Sequence, residues 1–199
     1  SDIVEKGGTT GSFVVFFSLR RNTRVQCLCG LRATGYPLKG FEELFSKIRQ
    51  FSLVPVKDDI EVFRRLIFSL VIGNYDAYAK NFSFLVSSGG SISLSPAYDL
   101  VCTALYEELD TTFAMLIGEA NDLESLDEEA LKQLFDNIQK NIADTKAIIK
   151  YADLSLKAVT DVVAEFKEGE YYQIDLDSAE RILKIAKTNH KFVIEVLKF

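Results

Sequence analysis

The chain has 199 residues, 48% of them hydrophobic and 26% charged, which excludes a disordered or fibrous protein and suffices for a substantial buried core. Its formal net charge of −6 disfavours non-specific binding to nucleic acid. No apolar run approaches the roughly eighteen residues of a membrane span, and Ser1-Asp-Ile-Val-Glu-Lys carries no signal-peptide pattern, so a cytoplasmic location with no membrane contact is expected.

Taken in order, Glu5 to Ser12 is glycine-rich and leads into an apolar run, Phe13 to Phe17, which reads as a loop entering a strand. A phosphate-binding role does not follow. The Gly-Lys-Ser/Thr step of a Walker loop is absent, and Val14 to Leu19 lacks the lysine that follows a kinase glycine loop. Cys27 and Cys29 are too close for ordinary disulfide geometry. With Cys102 and a single histidine, His190, they read as reduced, buried thiols rather than metal ligands. Gly30 to Gly40 has the turn signals Tyr36-Pro37 and Lys39-Gly40.

Phe41, Leu44, Phe45 and Ile48 predict a helix over Phe41 to Phe51. After Pro55 a second helix is expected to start at Asp58, with Asp58 and Glu61 as a capping pair. Phe63, Leu66, Ile67 and Leu70 supply its apolar stripe, widened by Val62 and Val71, so that it is buried on most of its surface. Phe82 to Val86 and Ile92 to Leu94 read as two short strands around the hairpin signal Ser87-Ser-Gly-Gly90. Thr111 to Gly118 reads as another strand or extended segment. Beyond Asp122 the pattern is helical, with Ser125/Glu128 and Asp177/Glu180 as capping boxes and a break at Gly169-Glu-Tyr-Tyr172. The expected class is therefore α+β and mainly helical.

Between the second helix and the hairpin lie Asp76 and, five positions on, Asn81; Asp99 follows the hairpin. Phosphoryl transfer uses such a set: one Asp orients a hydroxyl, while an Asn and a second Asp hold Mg²⁺ on ATP. Asp and Asn are also common in caps and turns, so residue types and spacing alone leave an unrelated helical domain open.

The full strings are more specific. Leu70-Val-Ile-Gly-Asn-Tyr-Asp-Ala-Tyr-Ala-Lys-Asn-Phe-Ser-Phe-Leu, with Leu94-Ser-Pro-Ala-Tyr-Asp-Leu-Val, closely resembles the HipA family of bacterial kinase toxins. The resemblance runs from Phe13 to the C-terminus and is strongest from Phe41 to Gly118. It implies the C-terminal lobe of a serine/threonine kinase, with a short hairpin beside the catalytic loop. It puts the catalytic Asp on Asp76, a catalytic Lys on Lys80, and the ATP-bound Mg²⁺ on Asn81 and Asp99. Tyr78 departs from the histidine usual in the family. Phe13-Val-Val-Phe-Phe-Ser-Leu-Arg20-Arg21 stands where the family has its hinge strand. Residues 1–40 would then be a hinge-proximal segment and 41–199 the lobe, without the small lobe that covers the phosphates, and the chain alone is expected to be inactive. Similar text to Thr111–Gly118 lies near the protein substrate in the family. Further implied are a substrate such as an aminoacyl-tRNA synthetase, an antitoxin protein as partner, and a possible separate chain supplying the N-terminal lobe. The alternative reading, motivated by the absent small lobe and by Tyr78, is a non-catalytic pseudokinase or interaction module.

Overall fold

Phe41, Leu44, Phe45 and Ile48 are all buried, on helix α1 (Phe41–Phe51), as their spacing predicts. The computed structural model describes residues 24–27, 39–86, 92–137, 145–167 and 176–196. Before α1 comes strand β1 (Arg24–Cys27). After it come α2 (Pro55–Ile72), β2 (Ser83–Val86), β3 (Ile92–Leu94), α3 (Glu128–Asn137), α4 (Thr145–Lys167) and α5 (Leu176–Val196). Two 3₁₀ turns, Ala79–Asn81 and Thr103–Leu105, flank the hairpin region.

Helix α2 is the central post. Val62, Phe63, Leu66, Ile67, Leu70 and Val71 are all buried, and α1, α4 and α5 pack around it. The Phe63 ring meets the edge of Tyr151 on α4 with centroids 6.0 Å apart. Ile148 and Ala152 of α4, with Ala186 and Val193 of α5, complete this part of the core. His190 pairs with a residue of α4. Its Nε2 lies 2.8 Å from Asp153 Oδ1, joining α5 to α4.

The start of α2 corrects the sequence reading. The helix begins at Pro55, where a missing N–H costs nothing, rather than at Asp58. Asp58 is instead buried, and its Oδ2 accepts hydrogen bonds from Ser52 Oγ at 2.6 Å and Leu94 N at 2.8 Å. One turn and more along, Arg65 donates through Nε to Glu61 at 3.0 Å and through Nη2 to Ser95 O at 2.5 Å. Two charged side chains of α2 thus hold the end of β3.

The expected hairpin is present, with β2 and β3 antiparallel and Phe84 opposite Leu94. Its tip at 87–90, the apolar run Phe13–Phe17 and the Gly169–Tyr172 break lie outside the described residues. Strand β1, which the sequence reading did not anticipate, adds to the free side of β2 and gives the order β1-β2-β3. Thr111–Gly118 forms no regular strand. It is a bent segment that turns at Gly118, with single bridges from Leu116 to Gly40 and from Ile117 to Ala120. At the start of α3 the cap is Asp127, whose Oδ1 accepts from Ala130 N at 2.8 Å. Ser125, the expected cap, closes a local turn with Asp122. Helix α5 begins at Leu176, which puts Asp177 inside its first turn rather than at a cap.

Asp58→Ala removes the acceptor of a buried backbone N–H and a buried hydroxyl together. The expected loss is about 2–4 kcal/mol, read as a lower urea midpoint at unchanged slope.

Candidate functional site

The loop that leaves α2 is fixed at its first residue. Gly73 caps the helix in the left-handed conformation, φ 70°, with its N–H directed to Leu70 O at 3.3 Å. A Cβ here would come within 2.7 Å of Ala104 Cβ and 3.1 Å of Ile185 Cγ2, so glycine is required for space as well as for φ. Gly73 O accepts from Ala104 N at 2.9 Å and from Thr103 Oγ1 at 3.1 Å. Tyr75 continues this clamp: its N–H donates to Thr103 Oγ1 at 2.9 Å, and its carbonyl accepts from Ala114 N at 2.8 Å. Asn189 of α5 donates to Leu70 O at 3.1 Å. Burial raises the Tyr75 phenol above its ordinary range, with Asn189 opposing the shift.

Beyond this clamp the chain alternates between held and presented residues. Asn74 and Asn81 are buried, while Asp76, Tyr78 and Lys80 are exposed. The Asp76 carbonyl accepts from Tyr78 N at 2.8 Å and from Asn81 Nδ2 at 3.2 Å. Asn81 N in turn donates to Tyr78 O at 2.8 Å, which closes the 3₁₀ turn. With one amide hydrogen committed to the Asp76 main chain, Asn81 is oriented by that bond and keeps Oδ1 for another partner.

The second segment, Pro96 to Asp99, is tied to this loop in two places. Asn74 Nδ2 reaches Asp99 O at 3.5 Å. The Tyr98 hydroxyl donates to Lys80 O at 2.7 Å and lies 2.6 Å from Ser83 Oγ. Asp99 is exposed and has φ 57°, the one non-glycine residue with positive φ among those described. Asp tolerates that region better than most side chains, at a cost of about 1 kcal/mol.

Asp76, Lys80 and Asn81 thus share one hydrogen-bonded turn, and the segment ending at Asp99 is cross-tied to it through Asn74 and Tyr98. Asn81 and Asp99 offer hard oxygen donors of the kind Mg²⁺ takes. Among the described residues no three His, Cys, Asp or Glu side chains gather into a metal cage. Two protein oxygens, with water and phosphate completing the shell, are what Mg²⁺ on a nucleotide uses, so the residues fit the ion. Tyr98, Asn74, Thr103 and Asn189 received no role from the sequence. Tyr98 stands within the second string, and its place before Asp99 was the available signal; Asn189 lies 119 residues from its partner Leu70 and carried none.

Comparison with known proteins gives a consistent match. Residues 17–174 match the HipA-like C-terminal domain. The chain is 35% identical over 98 residues to a protein of Shewanella oneidensis named serine/threonine-protein kinase toxin HipA, covering 47% of this chain and 22% of that one. It is 38% identical over 87 residues to Y4mE of Sinorhizobium fredii, provisionally named a kinase, covering 44% of this chain and 20% of the relative. The matched stretch is therefore about a fifth of these relatives' length. In structure the chain resembles HipA of Shewanella oneidensis MR-1, solved with HipB and operator DNA. The TM-score is 0.65 at 25% identity, covering 80% of this chain and 36% of that one.

Two substitutions probe the framework. Gly73→Ala should cost about 2–4 kcal/mol, from positive φ and from the overlap with Ala104 together, seen in thermal or urea unfolding. Tyr98→Phe keeps the ring and removes the bridge. A loss of about 1 kcal/mol is expected, with faster hydrogen exchange at the Asn81 and Phe82 amides and unchanged exchange in the middle of α2.

Proposed function

This chain belongs to the HipA-like C-terminal domain family, and on that premise we propose that it supplies the catalytic lobe of a serine/threonine protein kinase. The observation that carries the reading is the commitment of the Asn81 amide to the Asp76 main chain. It leaves an oxygen available in the same turn as one exposed carboxylate, and on a loop cross-tied to a second. Asp76 orients the attacking hydroxyl and accepts its proton. The Asn81 Oδ1 and the Asp99 carboxylate hold Mg²⁺, and the Lys80 ammonium balances charge on the group being transferred. Mg²⁺–ATP, when bound, supplies the phosphoryl group and neutralises much of its charge.

The matched relatives are several times longer than the matched stretch, and activity is assigned to the whole gene product that carries this chain. Residues 1–40 are proposed as the segment nearest the hinge and 41–199 as the lobe itself. The remaining lobe, in the same or a separate chain, covers the phosphates. The substrate is a protein hydroxyl, an aminoacyl-tRNA synthetase being the candidate that the family suggests. An antitoxin protein is the proposed partner, as HipB is found with the neighbouring HipA structure. No direct contact with nucleic acid is proposed, given the net charge of −6. Among the described residues no helix is long and apolar enough to cross a membrane; the proposed setting is the cytoplasm.

The test is transfer of labelled phosphate to protein by the whole gene product. Asp76→Asn should lower the rate by about 10²–10⁴ with little change in folding. Asp99→Asn should instead weaken Mg²⁺-dependent ATP binding, because a hard cation loses a charged oxygen. A folded, nucleotide-bound wild type that transfers phosphate to no cellular protein would replace this reading with a non-catalytic interaction module.

A further inference from the structure

Tyr78 is a large aromatic side chain, 44% exposed, on the turn that carries Asp76, Lys80 and Asn81. It contributes little to the core, and its ring has a particular neighbour: the Lys80 ammonium lies 4.7 Å from the ring centroid. That distance is within the range in which an aromatic face attracts a cation. We propose that Tyr78 is a positioning residue, whose ring face holds the Lys80 ammonium in place for phosphoryl transfer. The proposal rests on the kinase reading above for the use of the lysine, though not for its location.

The backbone on both sides of this contact is fixed. Both ends of the ring's own residue are fixed, since Tyr78 N donates to Asp76 O and Tyr78 O accepts from Asn81 N, each at 2.8 Å. The Lys80 backbone is fixed from the other side, through its carbonyl and the Tyr98 hydroxyl at 2.7 Å. A lysine on a fixed backbone still has a four-carbon stem with many rotamers, and in an exposed position it samples them. A ring two residues before it, on an equally fixed backbone, selects those rotamers that keep the charge over the Tyr78 face, on the turn that carries Asp76. The attraction belongs to the π face rather than to the phenol hydroxyl, so phenylalanine should substitute and an aliphatic side chain should not.

Two readouts separate this proposal from the reading on which it rests. In the 199-residue chain, the Lys80 ε-methylene protons should be displaced upfield by the ring in wild type and Tyr78→Phe, and should return to the ordinary lysine position in Tyr78→Leu. In the whole gene product, Tyr78→Leu should lower kcat by about two- to fivefold, the factor equivalent to an exposed cation–π contact, with KM for ATP unchanged. Tyr78→Phe should keep the wild-type kcat. Since the ring is half out of the core, all three proteins should unfold at nearly the same urea concentration, and Tyr78→Phe controls for any that does not. An ordinary lysine position in folded wild type overturns the proposal whatever the activity. So does an upfield position together with equal kcat in wild type and Tyr78→Leu. Absence of transfer by wild type, with the upfield position intact, removes the kinase reading and the catalytic use of Lys80 with it, while the ring contact stands confirmed.

Discussion

Everything at the loop end of this molecule depends on how α2 grips the second strand of the hairpin. Strand β3 is at the edge of its sheet, so its outward main-chain groups need partners from elsewhere. Asp58 supplies an acceptor for Leu94 N, Arg65 a donor for Ser95 O, and Leu53 N a donor for Ile92 O. An apolar contact could not do this, because a buried N–H or C=O left without a partner costs more than the packing returns. The charges are expensive to bury, and desolvation pulls the Arg65 guanidinium below its ordinary range even with Glu61 opposing that shift. Each is nevertheless held: Asp58 by two donors, Arg65 by a carboxylate and a carbonyl. The arrangement sets where Pro96 to Asp99 begins, relative to the same helix that ends in Gly73.

From that common reference the loop divides its residues between holding and presenting. Asn74, Tyr75 and Asn81 turn inward and spend their polar groups on Asp99 O, Thr103, Ala114 and the Asp76 main chain. Asp76, Tyr78 and Lys80 turn outward. A loop of this length would otherwise sample many conformations, and the entropy lost in fixing it is met by hydrogen bonds within the loop and to Asp99, Thr103 and Ala114 beyond it. The presented charges add little to stability themselves, being solvated. That separation is why substitutions at the presented positions can alter chemistry without unfolding the chain, whereas those at Gly73 or Asp58 act on the frame.

The sequence was most legible where one physical signal dominated. The i, i+3, i+4, i+7 stripes of α1 and α2 and the Ser87-Ser-Gly-Gly90 turn signal located two helices and two strands correctly. It was least legible where neighbouring residues could serve the same purpose. Asp58 and Pro55 both suit a helix start, and Ser125 and Asp127 both suit a cap; a long-range partner, Leu94 N, engages Asp58 in the first case, and a local turn with Asp122 engages Ser125 in the second. Strand β1 had only the alternation of Arg24, Val25, Gln26 and Cys27 to announce it, and its existence depends on a distant edge of β2, with Arg24 opposite Val86 and Cys27 opposite Ser83. The two loop strings named the candidate site residues and contain Tyr98, but its partners Lys80 and Ser83 lie across the hairpin, and Asn189, which closes on Leu70, lies outside both strings.

The residue types at the two proposed metal positions follow from the backbone as well as from the ion. At position 81 the side chain must donate to the Asp76 carbonyl and still offer an oxygen. An amide does both, whereas a carboxylate would face that carbonyl with like partial charge and have no hydrogen to give. At position 99 the backbone is left-handed and the side chain exposed. Glycine would relieve φ but bring no ligand, and a β-branched residue would be strained; Asp and Asn are the side chains that tolerate the conformation and carry an oxygen. Of these two, only Asp adds charge for a divalent cation. The neutral ligand therefore stands where the loop needs a donor, and the charged one where the backbone needs a residue tolerant of positive φ.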